Sequence, residues 1–207
     1  MNGPEREART GPVTAIGAYS GDVANVKGSA LASRLTWVRL EHGPIGLDRV
    51  NRVASPALAA LIAQPLRMSS WYPLALFVEL NEVIDRVFGN GDGAMARALG
   101  RYGADANMTT IYRLFYKLGT VRWVMSRAAR LWHMHYDAGR IELIERGEHE
   151  IDLHLIGVPE PSCTHCHSVQ GWAERSIELS GGEKVTAEMT SCRRDGAQTC
   201  CIAARWK

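Results

Sequence analysis

Five cysteines are present, and all lie between Cys163 and Cys201. They read Cys163-Thr-His-Cys166, then Cys192, then Cys200-Cys201: a C-x2-C pair, a gap of 25 residues and a C-x7-C pair. Thiolates grouped in two such pairs are the donor set of a tetrahedral zinc ion, with bonds to sulfur of about 2.3 Å. The sequence therefore offers Cys163, Cys166, Cys192 and Cys200 as metal ligands. His165 and His167 are neighbouring alternatives, because imidazole also binds zinc. Four thiolates leave no coordination position open and no base sits beside them, so a metal here would be structural. The competing reading is a set of small buried hydrophobes. Cys201 directly follows Cys200 on an expected strand, so it should face the other way and enter the core.

Those cysteines need elements to hold them. After Gly139 the hydrophobic period changes from helical to alternating. Arg140–Arg146 and Glu150–Ile156 read as strands joined by a turn at Gly147-Glu148. Cys163–Leu179 reads as a helix with Val169, Trp172, Ala173 and Ile177 inward. Lys184–Ser191 and Thr199–Trp206 close a β-β-α-β-β unit. Cys163 and Cys166 would then start the helix, and Cys192 and Cys200 would face each other across a hairpin.

The first part of the chain reads as helical. Leu31, Leu35, Val38 and Leu40 mark an apolar face from Val26 to the stop at His42-Gly43-Pro44. Ser55-Pro56 opens a short helix over Ala57–Gln64, with Ser as N-cap and Pro at the first helical position. Tyr72-Pro73 opens another, carrying Leu76, Phe77, Leu80, Val83, Ile84 and Val87, and Gly89–Gly93 ends it. Further helical stretches are expected from Gly93 to about Lys117 and over Val121–His135. Residues 1–25 read as a loose tail, with a short strand possible at Val13–Tyr19. The expected organisation is thus an α+β domain over 26–207. Its helical half is 26–138, and the half bearing the cysteines is 139–207.

Composition narrows the class. The 207 residues are 46% hydrophobic and 22% charged, with a net charge of +2. That is globular and long enough to bury roughly 70% of its unfolded surface. The small net charge gives no global field for nucleic acid or acidic membranes. No apolar run approaches the ~18 residues of a membrane span. The polar start Met-Asn-Gly-Pro-Glu-Arg lacks the apolar region of a secretory signal. A cytosolic setting is expected, in which clustered cysteines read as metal ligands before disulfides.

Cys166-His-Ser-Val-Gln-Gly171-Trp172, Gly181-Gly182 and Glu188-Met-Thr-Ser-Cys192 through Cys200 resemble the signature of the 4-vinyl reductase domain. That domain is a small-molecule-binding module found in phenol- and xylene-responsive activators. The resemblance covers roughly residues 130–207. It implies zinc held by three cysteines and a glutamate, with Cys166, Cys192 and Cys200 at the cysteine positions. Met189 stands where the glutamate belongs, so the resemblance leaves Cys163, Glu188 or a histidine as the fourth ligand. Trp71-Tyr72-Pro73, Leu99-Gly100-Arg101 and Leu131-Trp132 through Gly139 are similar to a bacterial family of uncharacterised proteins sometimes described as haem–NO-binding-like. Together these resemblances span residues 26–207. They imply a ligand pocket between the helices and the sheet.

Other motifs were weighed against this. His133 and His135 could ligate haem, but no Tyr-x-Ser-x-Arg propionate motif is present, and haem is set aside. Arg122, Arg127 and Arg130 read as a solvated helix face. Gly89-Asn-Gly-Asp-Gly93 lacks the EF-hand positions and reads as a turn. No Ser-His-Asp order, Walker loop, Rossmann fingerprint or His-Glu-x-x-His occurs. The pocket residues expected are Trp132, His133, His135, Tyr136 and Trp172, taking a small hydrophobic or aromatic ligand. The function expected is a cytosolic, non-enzymatic sensing or protein-interaction module. It would carry structural zinc, form a homodimer and act through a partner signalling protein, without nucleic acid or membrane. The alternatives are a reductase or carrier for a tetrapyrrole or hydrophobic substrate, and a haem-based gas sensor.

Overall fold

The computed structural model describes residues 23–106, 119–159 and 162–207. The expected strand at Val13–Tyr19 lies outside them, as do Met108, Ile111, Leu114 and Phe115 of the expected long helix.

The chain enters as strand β1 (Asn25–Lys27), which pairs antiparallel with β2 (Trp71–Pro73), Val26 opposite Tyr72. Val26 is thus in a strand, and helix α1 (Gly28–Val53) begins after it. Leu31, Leu35 and Val38 are buried along α1, whereas Leu40 is 69% exposed. Leu40 follows Val38 by two residues, which carries it about 200° round the helix and away from the stripe. The stop expected at Gly43 is real but local. Gly43 takes φ 61° and ψ −162°, and Pro44 restarts the helix on the far side of this kink.

Ser55 caps α2 (Pro56–Ile62) by accepting the Leu58 N–H at 3.2 Å. Glu79 ties this cap to α3 (Leu74–Phe88), accepting from the Ser55 N–H at 2.7 Å and its hydroxyl at 2.9 Å. The glycine-rich turn leads into α4 (Ala94–Ala106). There the buried Asp85 carboxylate accepts the backbone N–H groups of Gly93 and Met95, both at 3.0 Å. Orphan donors at the start of a helix are satisfied in this way.

Helix α5 (Val121–Arg130) stops short of the expected His135, and a 3-10 turn follows at Trp132–Met134. The stop has a tertiary cause. Tyr136 bridges to Val26, and the His135 carbonyl accepts the Lys27 N–H at 2.8 Å, so this stretch is drawn against β1.

Strands β3 (Arg140–Gly147), β4 (Glu150–Ile156), β5 (Thr186–Ser191) and β6 (Cys200–Arg205) form an antiparallel sheet in the order β3-β4-β6-β5. Ile151, Leu153 and Leu155 alternate inward, while Asp152 and His154 face outward. Between Met189, opposite Ile202, and Ser191, opposite Cys201, the pairing of β5 slips by one residue at Thr190.

Helix α6 (Cys163–Leu179) covers the inner face of the sheet and packs on α4. The approach is close at two glycines. A Cβ on Gly100 would lie 1.9 Å from the Ser168 carbonyl oxygen, and one on Gly171 would lie 1.9 Å from that of Arg97. Arginines and carboxylates ladder along this seam: Arg97–Glu174 at 2.6 Å, Arg101–Glu174 at 3.1 Å and Arg101–Glu178 at 2.9 Å.

Candidate functional site

Charge is buried where α1, α3, α6 and the turn after α5 meet. Arg34 lies on the apolar stripe of α1 and is only 5% exposed. Its partners are neutral. It donates to Asn81 Oδ1 at 3.0 Å, to Ser33 Oγ at 3.0 Å and to Ser168 Oγ at 2.7 Å. Its guanidinium also lies 5.1 Å from the centre of the Phe77 ring. Burial pushes Arg34 down to about 10, so it stays cationic at neutral pH with no carboxylate among these partners.

His165 sits beside it on α6, 2% exposed. Its Nε2 is 3.3 Å from the Tyr136 hydroxyl oxygen. Tyr136 stacks on Trp132 at 3.9 Å, and Phe77 meets the Tyr136 and His165 rings edge-on at 6.5 and 6.1 Å. Burial and then the Arg34 charge lower His165 to about 4, so the imidazole is neutral across the physiological range. Burial raises Tyr136 to about 12, partly offset by Arg34. The result is a chamber filled by its own packed aromatic rings, with one fixed cation, one neutral imidazole and one phenol.

Of the expected pocket residues, Trp132 and Tyr136 line this chamber. His135 is half-buried, and burial followed by Lys27 lowers it. His133 is exposed, and Trp172 packs on the core from α6. Arg34 was not singled out by the sequence, and His165 was weighed only as a metal ligand. A signal for Arg34 existed: it lies three residues after Leu31 and four before Val38, a charged residue on the stripe those two define.

The thiols form a second group. Cys163 Sγ is 3.4 Å from Cys192 Sγ, and Cys192 Sγ is 4.0 Å from Cys200 Sγ. The sulfurs of Cys166, Cys192 and Cys200 all lie within 4.8 Å of one another. These values bracket the ~3.8 Å edge of a tetrahedron with 2.3 Å metal–sulfur bonds. Burial, then Cys192, pushes Cys163 up to about 11. Burial also opposes ionisation of Cys192, but the Arg194 backbone N–H and the thiols of Cys163 and Cys200 outweigh it and hold Cys192 below the ordinary range. Cys192 therefore ionises before Cys163. Cys201 faces away from this group, as its alternation requires. That face is the outer one, where it lies against His154 rather than in the hydrophobic core. It is buried as expected, at 7% exposed, but outside the main core cluster, because α6 covers the Cys200 side of the sheet.

No protein-family model matches the sequence. No curated protein matches it either. Solved structures do resemble the fold. An H-NOX protein from S. oneidensis in the Fe(II)NO ligation state superposes with TM-score 0.67 and 12% identity, over 87% of this chain and 99% of that one. An oxygen-binding H-NOX domain related to soluble guanylate cyclases gives TM-score 0.60 and 11% identity, over 87% and 95%. The fold is that of the H-NOX domain. The H-NOX (haem–NO/oxygen-binding) neighbours correct three expectations. The 4-vinyl reductase resemblance is not what the solved structures resemble. Zinc as the only cofactor is overturned, and the setting aside of haem is overturned with it, because studies of these neighbours concern haem, its distortion and its gas ligands.

The chamber's chemistry suits a haem. A neutral buried imidazole is an axial-ligand donor. Arg34 is a buried cation with no carboxylate among its described partners, of the sign a propionate needs, and aromatic rings pack around both. His165 Nε2, now in contact with the Tyr136 hydroxyl, is the nitrogen that would hold such a group. No helix among the described residues is long and apolar enough to cross a membrane.

Proposed function

We propose that this chain is a sensor module on the H-NOX fold, taking a small ligand in the chamber around His165 and passing the change to a partner protein. The observation that carries this reading is the pairing of Arg34, a buried cation with no carboxylate among its described partners, with neutral His165 amid aromatic rings. A buried charge left without its counter-charge is costly, and a ligand carrying the opposite charge relieves that cost. Haem, when bound, would supply an iron centre able to take a gaseous ligand. His165 would hold its metal and Arg34 would offset its acidic groups, while Trp132 and Phe77 would exclude water. Tyr136 would hold a hydrogen bond within the chamber once released from His165.

Haem reconstitution tests this directly. The full chain titrated with haemin should develop a Soret band at one haem per chain, and His165→Ala should lose it. A chain that stays colourless after reconstitution defeats the haem assignment.

In the same reading, Cys163, Cys166, Cys192 and Cys200 are a metal-ligand set that clamps the start of α6 to the β5–β6 hairpin. Titration with Cd(II) as a thiophilic probe should give thiolate charge-transfer absorption that includes one ion held by this set. Cys192→Ser should lower the affinity at least tenfold. Unchanged absorption in that variant would refute the set.

A further inference from the structure

The outer face of the sheet carries another group of donors. His154 on β4 pairs across the strands with Cys201 on β6, and Asp152 lies two residues along on the same face. Cys201 Sγ is 3.6 Å from His154 Nε2. One carboxylate oxygen of Asp152, that sulfur and a ring nitrogen of His154 all lie within 4.8 Å of one another.

Three features make this more than a chance grouping. The first is the sulfur–nitrogen distance. An ion with bonds of about 2.3 Å to sulfur and about 2.05 Å to nitrogen, at the tetrahedral angle, sets them about 3.6 Å apart. The second is the support behind each ligand. Thr199 Oγ1 lies 3.3 Å from His154 Nδ1, which leaves Nε2 facing the thiol. Arg146 Nε donates to Asp152 Oδ2 at 2.7 Å, which orients the carboxylate and leaves Oδ1 available. Such outer contacts fix the tautomer and aim of metal ligands. The third is burial. Cys201 is 7% exposed and the Asp152 side chain 15%, so the donors are held by strands and shielded from most solvent.

We infer that Cys201, His154 and Asp152 form a three-ligand site for a borderline divalent transition ion, separate from the four-thiol group on the other face of β6. A mixed sulfur, nitrogen and oxygen donor set suits the zinc and cobalt class and disfavours calcium or magnesium, which take oxygen ligands. Three protein ligands leave a fourth position for water. Cys200 and Cys201 then serve two different ions from adjacent positions on one strand. This site does not depend on the haem reading or on the four-thiol group.

The test is titration of the reduced, metal-free full chain with Co(II), whose thiolate charge-transfer and ligand-field bands report both binding and geometry. His154→Ala should bind one equivalent fewer than the parent chain. Asp152→Asn keeps the size of the side chain and should weaken one equivalent at least tenfold while leaving the others unchanged. Melting curves of the metal-free proteins establish that each variant is folded. Equal stoichiometry and equal affinities in the parent chain and Asp152→Asn overturn the site, as does a folded His154→Ala that binds as much cobalt as the parent. Should His154→Ala not fold, the Asp152→Asn titration decides alone.

Discussion

Replacing Gly171 by alanine should lower the melting temperature by about 10 °C. The added methyl would sit 1.9 Å from the Arg97 carbonyl oxygen and 2.8 Å from its carbon. Both are helix backbone, so no side chain can swing aside, and α4 and α6 must separate. Overpacking costs up to about 3 kcal/mol, and each kcal/mol shifts melting by roughly 2–4 °C in a chain of this size. Gly100→Ala should behave similarly, since its methyl meets the Ser168 carbonyl from the opposite helix. Gly147→Ala is the control: nothing but the Glu150 Cβ, at 3.9 Å, lies near it, and its melting should change by less than a third as much. A Gly171→Ala protein melting within 2 °C of the parent (well below the ~10 °C expected) would mean that the seam is not close-packed.

Acid should weaken the fold through His165. Its folded value lies near 4 against an ordinary 6.5, so between these pH values the unfolded chain takes up a proton that the folded chain refuses. Stability is then fully present above about pH 6.5 and falls as the pH drops toward 4. At roughly 1.4 kcal/mol per pH unit, the loss approaches about 3 kcal/mol over that window. Urea unfolding measured at steps between pH 7 and 4 should trace this decline, and His165→Gln should flatten it. An equally steep decline in the variant would assign the acid sensitivity to other groups. The same burial that depresses His165 keeps a neutral imidazole in the chamber, so the acid limb and the proposed ligand role have one physical source.

What the sequence made legible follows from what is local. The α6 helix was readable at both ends because Ser162 accepts the His165 N–H and Gly181 lies just past its last turn. The four long strands were readable because one of their faces is apolar, and alternation survives in the residues. The β1–β2 pair was not readable: each strand has three residues, and they meet only because α1 and α2 fold between them. The end of α5 was set by Tyr136 reaching β1, which no local preference records. Among site residues, the thiol spacing was visible because it repeats a ligand pattern. Arg34 showed only as a charge on an apolar stripe and His165 only as a metal-ligand alternative, since it is the fold that brings the two together. At 12% identity to the S. oneidensis H-NOX protein, the shared fold is carried by packing rather than by residues in common.

The slip in β5 has a consequence for the thiols. Three positions separate Met189, on the inner face with Ile202, from Cys192. An unbroken strand would alternate across that odd interval and send Cys192 to the outer face, beside Cys201. The slip takes Thr190 out of the alternation and so returns Cys192 to the side of Cys200 and Cys166. A chain lacking Thr190 would place Cys192 on the same inner face by plain alternation, whereas a β5 that kept Thr190 but paired without the slip would carry Cys192 to the outer face beside Cys201. The grouping of sulfurs is therefore written in the pairing of β5 as much as in the cysteines themselves.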